Sequence, residues 1–260
     1  MSLLKTNIKK ENGVYYLTQK RNDFSNLYIQ VRDLEKRVYA DQIVKQLPSV
    51  SKNHHYYDEW KLRQKSTQRI ITYLKNLNRP IKILDLGCGN GWFSYQLSLI
   101  PDSEVLGVDV NDIELEQAVR VFDKPNLHFI YADIFSEGVE ILEDFDIVTV
   151  NSCIQYFEDL EHILSRLKSL LKEQGELHLL DSPFYKLNEI EPARKRTITY
   201  YQKLGVPEMV NHYFHHSFNK ISEFEILYKH KKSILNKILG KKDSPFMWYR
   251  FIKKTKTTVV

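Results

Sequence analysis

One short segment decides the fold of this 260-residue chain: residues 83–93, which read ILDLGCGNGWF. An apolar run containing Asp85 is followed by glycines at positions 87, 89 and 91. Glycine permits sharp turns and close approach of a ligand to the backbone, and the start of a helix presents free amides and the positive end of its dipole. The segment predicts a buried strand, a tight turn and a helix, with a nucleotide-type pocket at the turn. A glycine turn made for packing alone is the alternative.

Short apolar runs alternate with helical segments after residue 80, which is typical of a parallel sheet covered on both faces. Helices are predicted around 92–99, 113–122 and 160–173. The predicted strands are 81–86, 104–109, 127–132, 145–151, 175–181, 225–229 and 246–253. The fold class is therefore α/β, a seven-stranded, mostly parallel sheet with helices on both faces and the last strand pair antiparallel.

The segments outside this alternation predict the domain organisation. A hairpin turn at Asn12-Gly13 and helical spacing within 26–47 and 58–77 predict an N-terminal helical lid over residues 1–66, followed by the main domain over 67–260. Residues 184–223 are too long for a simple connection, so we interpret them as a functional insertion. Four side chains are candidate lid contacts, with core or solvated positions as the alternative: Tyr28, Tyr39, Trp60 and Arg63.

Composition and charge exclude several classes of protein. No apolar run approaches the roughly 20 residues that span a bilayer, and no charged-then-apolar leader opens the chain. The two cysteines, Cys88 and Cys153, are too few for a disulfide framework, which indicates a reduced, cytoplasmic setting. The net charge of +5 is concentrated in residues 229–256, where ten Lys or Arg stand against one acid. This basic patch is either a solvated surface or a site for phosphates.

The spacing of the glycines discriminates between nucleotide-type ligands. A dinucleotide fingerprint requires glycine three residues after Gly89, but Trp92 stands there. No lysine follows the glycines as a phosphate-binding loop requires. Nicotinamide and flavin dinucleotides are therefore disfavoured.

The arrangement Asp85-x-Gly87-x-Gly89-x-Gly91 instead resembles motif I of the class I S-adenosylmethionine-dependent methyltransferases, and the resemblance extends over about residues 67–184. It implies a Rossmann-like fold, S-adenosylmethionine as cofactor and S-adenosylhomocysteine as product. The cofactor would lie across the carboxyl ends of the first two strands of the predicted sheet.

The resemblance also implies roles for acids at the ends of successive strands. Asp109 would accept hydrogen bonds from both ribose hydroxyls, since a carboxylate has two acceptor oxygens and a vicinal diol has two donors. Asp133 would hold the adenine amino group, and Asp85 would help to anchor the methionine end. The implied cofactor-binding residues are Asp85, Gly87, Cys88, Gly89, Asp109, Val110, Asp133, Ile134, Asn151 and Ser152.

The acceptor is constrained by the fourth and fifth predicted strands. Residues 151–154, Asn-Ser-Cys-Ile, lack the paired prolines and aromatic of DNA amino-methyltransferases, and we interpret Cys153 as a buried filler. Residues 175–184 resemble the small-molecule branch of the family, which favours a small or medium organic acceptor.

A histidine cluster lies in the insertion. His215 and His216 are candidate catalytic bases, because imidazole takes up a proton near neutral pH. Surface or packing positions are the alternative, and no metal site is predicted, since a zinc site would need a fourth ligand beside His212, His215 and His216.

Rival functions stay open. A non-catalytic module would bind the cofactor without turnover, whereas a nucleic-acid methyltransferase would use the basic C-terminal patch. A hydride-transfer enzyme on the same fold would prefer a nicotinamide dinucleotide, against which Trp92 argues.

Overall fold

The computed structural model describes residues 8–20, 22–230 and 243–255. Short 3₁₀ turns occur at Ile154–Tyr156, Pro207–His212 and Phe218–Ile221. The strands are β1 (Lys9–Glu11), β2 (Val14–Tyr16), β3 (Ile81–Leu86), β4 (Ser103–Asp109), β5 (Leu127–Tyr131), β6 (Phe145–Asn151), β7 (Leu171–Leu180), β8 (Phe184–Tyr185), β9 (His216–Ser217), β10 (Glu225–Tyr228) and β11 (Trp248–Ile252). The helices are α1 (Asn22–Leu34), α2 (Asp41–Val44), α3 (Tyr57–Lys75), α4 (Trp92–Leu97), α5 (Asp112–Val121), α6 (Leu160–Ser169) and α7 (Leu187–Leu204).

The main sheet has the order β1-β2-β5-β4-β3-β6-β7-β11-β10. Strands β5, β4, β3, β6 and β7 run parallel to one another, and β11 lies antiparallel to both β7 and β10. The predicted α/β sheet with an antiparallel last pair is therefore confirmed. Nine strands stand in it rather than seven, because the predicted hairpin joins its edge, where β2 runs parallel to β5. The lid segment predicted over residues 1–66 thus contributes to the sheet, and its boundary falls within α3.

The central strands are buried on both faces, as parallel strands between helices require. Leu84 and Leu86 pack in the apolar layer that contains Leu164 of α6. Ile83 packs in the opposite layer with Ile70 of α3. The alternation of side chains along β3 therefore joins helices on opposite faces to one sheet.

Helix boundaries differ from the prediction in one instructive place. The helix predicted over 160–173 ends at Ser169, because the chain enters β7 at Leu171 and residues 171–174 extend that strand. Within the described ranges, no helix combines the length and apolarity that crossing a membrane would demand.

The predicted insertion, residues 184–223, has secondary structure of its own. It contains α7, which is capped at its C-terminus by Gly205 with a positive φ of 83°, and a two-stranded sheet of β8 and β9. Tyr201 and Met209 pack with Val31 of α1 in a small separate core. The N-terminal segment and the insertion therefore lie against each other.

The order of the strands reverses at β3, which has β4 on one side and β6 on the other. In open α/β sheets, ligands bind in the crevice outside the carboxyl ends of the strands at such a point. β3 ends at Leu86, directly before the glycine turn. The topology therefore directs the ligand site to residues 87–91.

Candidate active site

A cavity of about 1130 Å³ opens at the carboxyl ends of the parallel strands. It slightly exceeds the usual range of small-molecule sites, about 300–1,000 Å³, which leaves room for more than one ligand. Its wall includes nine of the ten implied cofactor-binding residues: Gly87, Cys88, Gly89, Asp109, Val110, Asp133, Ile134, Asn151 and Ser152.

The glycine turn is fixed by packing as well as by its backbone conformation. Gly87 has a φ of +70°, and a Cβ there would lie 2.4 Å from the sulfur of Cys153. Gly91 has a φ of +76°, and a Cβ there would lie 2.6 Å from the ring of Phe129. Both positions therefore require glycine, and the alternative of a turn made for packing accounts for part of the motif.

Asp109 ends β4 and organises the loop around it. Its Oδ2 accepts the amide of Gly89 at 2.8 Å, and its Oδ1 accepts the amides of Val110 and Asn111 at 2.7 and 2.9 Å. Burial raises the pKa of the Asp109 carboxyl, although these three amides oppose the shift. The carboxyl is therefore a structural acceptor on the cavity wall before any ligand is considered.

Asp133 follows β5 on the same wall. Its Oδ1 accepts the amide of Phe135 at 3.0 Å, while its own amide donates to the Thr18 hydroxyl at 3.1 Å. Residue 18 directly follows the N-terminal hairpin of β1 and β2, so this hairpin segment helps to hold the end of β5 in place.

Asp85 occupies a different place from the other predicted acids. It is 1% exposed, does not line the cavity, and accepts hydrogen bonds from the hydroxyls of Ser94 at 2.5 Å and Thr149 at 2.9 Å. Burial raises the pKa of its carboxyl to about 7. Through these hydrogen bonds Asp85 connects β3 to α4 and to β6. Asp85 can therefore affect a ligand only indirectly, through the glycine turn.

The end of β6 carries the predicted floor residues. Ser152 has a positive φ of 58°, its hydroxyl donates to the carbonyl of Asp181 at 3.0 Å, and it accepts from Arg63 at 3.0 Å. Cys153 is buried, and burial raises the pKa of its thiol well above the ordinary value. An unactivated thiol fits the interpretation of Cys153 as a filler.

Several buried polar atoms on the wall lack partners. Of the ten buried side-chain nitrogens and oxygens without a hydrogen bond among the described residues, four belong to side chains lining the cavity: Asn90 Oδ1, Asn151 Oδ1, Gln155 Oε1 and Arg32 Nε. Such atoms are costly unless something binds them. Their concentration here indicates a site prepared for a polar ligand.

Another part of the cavity wall is aromatic. Tyr156 meets Tyr28 edge-on at 5.6 Å between ring centroids and Tyr213 at 5.9 Å, and Tyr213 contacts Tyr201 at 6.1 Å. All four line the cavity, and burial raises the pKa of each phenol. These rings come from α1, from the turn after β6 and from the insertion, so no local pattern in the sequence reveals the wall.

Charged side chains from α3 and from the loop between α1 and α2 also line the cavity. Arg37 binds Glu59 with two hydrogen bonds of 2.9 and 2.6 Å, and Arg63 donates to Glu59 at 3.1 Å. Of the four candidate lid contacts, Tyr28, Trp60 and Arg63 line the cavity, whereas Tyr39 packs against Trp60 outside it.

Asp181, after β7, is a site residue that the sequence analysis did not single out. Its Oδ2 accepts from Ser66 at 2.5 Å and its Oδ1 from Ser244 at 3.0 Å, and it lines the cavity. Burial raises the pKa of its carboxyl. Its position at the end of a predicted strand, 175–181, was a signal of the kind that identified Asp109 and Asp133.

The histidine cluster does not reach the cavity wall. His215 bonds the Thr197 hydroxyl at 3.0 Å, and His216 is 6% exposed with its Nε2 at 3.2 Å from the carbonyl of Ile154. Neither ring lines the cavity, and burial lowers the pKa of both. The candidate bases are therefore held by packing contacts. In the described ranges, His, Cys, Asp and Glu nowhere form a group of three arranged for a metal.

The basic C-terminal patch falls largely outside the described residues, since 231–242 and 256 are not among them. Two described members are engaged inside the protein: Arg250 pairs with Glu225, and Lys253 donates to the carbonyl of Leu171 at 2.5 Å. These two residues therefore give no support to a phosphate-binding surface.

Comparisons with known proteins agree with this geometry. A family model described as a methyltransferase domain matches residues 77–241, more than half of the chain. The malonyl-[acyl-carrier protein] O-methyltransferase of Acetivibrio thermocellus is 30% identical over 130 residues, 49% of this chain and 45% of that protein. The sterol 24-C-methyltransferase of Candida albicans is 25% identical over 202 residues, 75% of this chain and 52% of that protein. The chain thus spans about half the length of these curated relatives.

Among solved structures, the magnesium protoporphyrin IX methyltransferase of Synechocystis with bound SAH superimposes with a TM-score of 0.57 at 16% identity. The match covers 90% of this chain and 98% of that one. At this identity the likeness concerns the fold.

Proposed function

From the premise that this chain belongs to the methyltransferase-domain family, we propose that it transfers the methyl group of S-adenosylmethionine to a small or medium organic acceptor. The observation that carries the proposal is a single cavity whose wall includes both the glycine turn with strand-end acids and a group of tyrosines. The glycine turn and the acids suit a nucleoside, and the tyrosines suit an apolar or aromatic molecule.

The residues present fit the cofactor. Gly87 and Gly89 line the cavity without side chains of their own, and Asn90 and Asn151 present unpartnered oxygens on the wall. Gly87, Gly89, Asp109, Asp133 and neighbouring wall residues would hold the cofactor, and Asp85 would support the turn from behind. When bound, S-adenosylmethionine supplies a methyl group on a good leaving group.

Catalysis by this chain then depends on alignment and on exclusion of water. Tyr156, Tyr201 and Tyr213 would pack against the acceptor and exclude solvent, since they form one continuous aromatic surface. The proposal includes no histidine base, because His215 and His216 do not line the cavity.

The identity of the acceptor is not decided by similarity. The names of the relatives give a malonyl group on an acyl carrier protein in one case and a sterol in the other. A small acceptor carried on a larger partner is therefore one form of the proposal, and a free organic molecule is another.

The test distinguishes binding of the cofactor from use of the acceptor. Binding of S-adenosylhomocysteine is measured by calorimetry, and its formation from S-adenosylmethionine is measured with carboxylic acids, phenols, amines, acyl thioesters and oligonucleotides. With an active acceptor, we expect Tyr213→Ala to raise KM for the acceptor and leave cofactor affinity unchanged, and Asp109→Asn to weaken cofactor affinity.

Each rival function predicts a different result. Cofactor binding without turnover on any acceptor would identify a non-catalytic module. Methylation of oligonucleotides alone would point to the nucleic-acid alternative, and preference for a nicotinamide dinucleotide would contradict the proposal.

A further inference from the structure

Besides Asp109, a second buried carboxyl lines the cavity beside the glycine turn. Glu114 lies in the first turn of α5, is 9% exposed and lines the cavity. Its backbone amide is capped by the side chain of Asn111 at 2.9 Å, which fixes the start of the helix. In the described part of the chain its carboxyl oxygens accept no hydrogen bond, and the nearby charge of Arg32 favours the ionised form only through space. A buried carboxyl without hydrogen bonds is costly unless a ligand supplies a donor.

Glu114 and Asp109 flank the same glycine. The amide of Gly89 donates to Asp109 Oδ2 at 2.8 Å, and a Cβ built on Gly89 would lie 3.0 Å from Glu114 Oε2. Both carboxyls therefore border the backbone of the turn, and both line the cavity.

Asp109 has little remaining capacity to accept hydrogen bonds. A carboxylate offers about four lone-pair sites, and three of those on Asp109 are taken by the amides of Gly89, Val110 and Asn111. A vicinal diol needs two acceptors. The expectation that Asp109 alone receives both ribose hydroxyls therefore does not fit the observed hydrogen bonds.

We propose that Glu114 accepts the hydrogen bond of one ribose hydroxyl of the cofactor and Asp109 that of the other, so that the ribose is held between two carboxyls beside Gly89. This inference rests on the proposed function, because it requires an adenosine ligand. Glu114 thereby becomes a binding residue, and its unpartnered carboxyl acquires a donor.

The proposal makes cofactor affinity depend on pH. Burial raises the pKa of Glu114 to about 7, with Arg32 opposing the shift and Asp109 adding to it. The titratable groups that face Glu114 are Arg32 and Tyr28 from α1, Asp109 from the end of β4 and Cys88 from the turn. A ribose hydroxyl that donates to the ionised form lowers this pKa on binding, so a proton leaves and affinity rises as pH increases from about 6 to about 8.

The experiment compares Glu114→Gln with Glu116→Gln, which removes the same charge on the same helix and retains an acceptor for the side chain of Asn12. Binding of S-adenosylhomocysteine and of its 2′-deoxy and 3′-deoxy ribose analogues is measured by calorimetry. Near pH 8 we expect Glu114→Gln to weaken binding roughly tenfold to 100-fold, the range for a charge-assisted hydrogen bond. Glu116→Gln should bind like the wild type.

The ribose analogues identify the contact. In the wild type, loss of either hydroxyl should weaken binding. In Glu114→Gln, loss of one of the two hydroxyls should weaken binding much less than in the wild type, because an amide oxygen accepts a weaker hydrogen bond than a carboxylate. The rise in affinity between about pH 6 and about pH 8 should be flattened in the same variant.

Proton release by the wild type, measured in two buffers of different ionisation enthalpy, provides a readout that needs no variant. The inference is overturned if the wild type binds S-adenosylhomocysteine without releasing a proton. It is also overturned if Glu114→Gln keeps its affinity within about twofold of the wild type and each analogue loses the same affinity in the variant as in the wild type. A wild type that binds no S-adenosylhomocysteine would instead overturn the proposed function, so the two failures are distinguishable.

Discussion

Replacing Asp109 should affect both the stability of the protein and the binding of the cofactor. From the sequence, Asp109 is a ligand residue in a surface cleft whose loss leaves the fold intact. In the structure its carboxylate also accepts three backbone amides, those of Gly89, Val110 and Asn111. A variant therefore disturbs the loop as well as the ligand contact.

The two substitutions remove different numbers of these bonds. Asp109→Asn can keep its carbonyl oxygen toward Val110 and Asn111, which share Oδ1, and loses the bond to Gly89. Asp109→Ala loses all three. With about 1 kcal/mol net for each hydrogen bond, the free energy of unfolding should fall by about 1 kcal/mol for Asn and about 3 kcal/mol for Ala. We use the value for a neutral hydrogen bond and not the larger value for a charged one. The reason is that burial raises the pKa of Asp109 and so disfavours its charged form.

The effect on binding adds to this. Loss of one charge-assisted hydrogen bond to the ribose should weaken binding of S-adenosylhomocysteine by roughly tenfold to 100-fold in Asp109→Asn. Asp109→Ala should bind more weakly still, because the turn at Gly89 is no longer held.

The assays are urea unfolding of the ligand-free protein and calorimetry with S-adenosylhomocysteine. Asp123→Asn, an exposed surface change, serves as the matched control and should alter neither quantity. If Asp109→Ala has the same free energy of unfolding as the wild type, the three hydrogen bonds from backbone amides to Asp109 make no net contribution to stability. If it also keeps wild-type affinity, the assignment of Asp109 to the cofactor is wrong.

Three further results are expected. Asp133→Asn should weaken cofactor binding less than Asp109→Asn, since an amide oxygen can still accept from the adenine amino group, and calorimetry showing the reverse order would contradict this assignment. In the wild type, the Asp85 carboxyl has a pKa of about 7 in the folded state, so it keeps its proton to a higher pH there than in the unfolded chain. The free energy of unfolding should therefore fall by about 4 kcal/mol in total as pH rises from about 4 to about 7. Asp85→Asn should remove that part of the pH dependence of urea unfolding, and an unchanged slope would exclude a buried, titrating Asp85. His215→Ala and His216→Ala should keep turnover within about threefold, because neither ring lines the cavity, whereas His216→Ala should lower the unfolding midpoint through its lost bond to Ile154. A loss of turnover of more than about tenfold, with cofactor affinity retained, would show that the histidines take part in catalysis.

The fold could be predicted from the sequence because its determinants are local. The runs that form β3 and β6 are mostly apolar, which predicts strands buried on both faces, and the glycines at 87 and 91 follow β3 where the backbone turns. Asp109 ends one predicted strand and Asp133 directly follows another, so both could be identified from the sequence. Parallel strands end at the same edge of a sheet, so strand-end residues meet without any knowledge of the loops.

The rest of the candidate site depended on contacts between residues far apart in the chain. The tyrosine wall joins Tyr28 to Tyr156 and Tyr213, which no window of sequence brings together. In the insertion, the tyrosines line the cavity and the histidines do not. Composition could not show this, because it does not specify which face of a segment packs inward. Whether an acid is free for a ligand was equally invisible in the sequence, since it depends on backbone amides that come from the turn. Among the described residues, Asp109 and Asp85 accept hydrogen bonds from the protein and the carboxyl of Glu114 accepts none, and only the tertiary structure decided this.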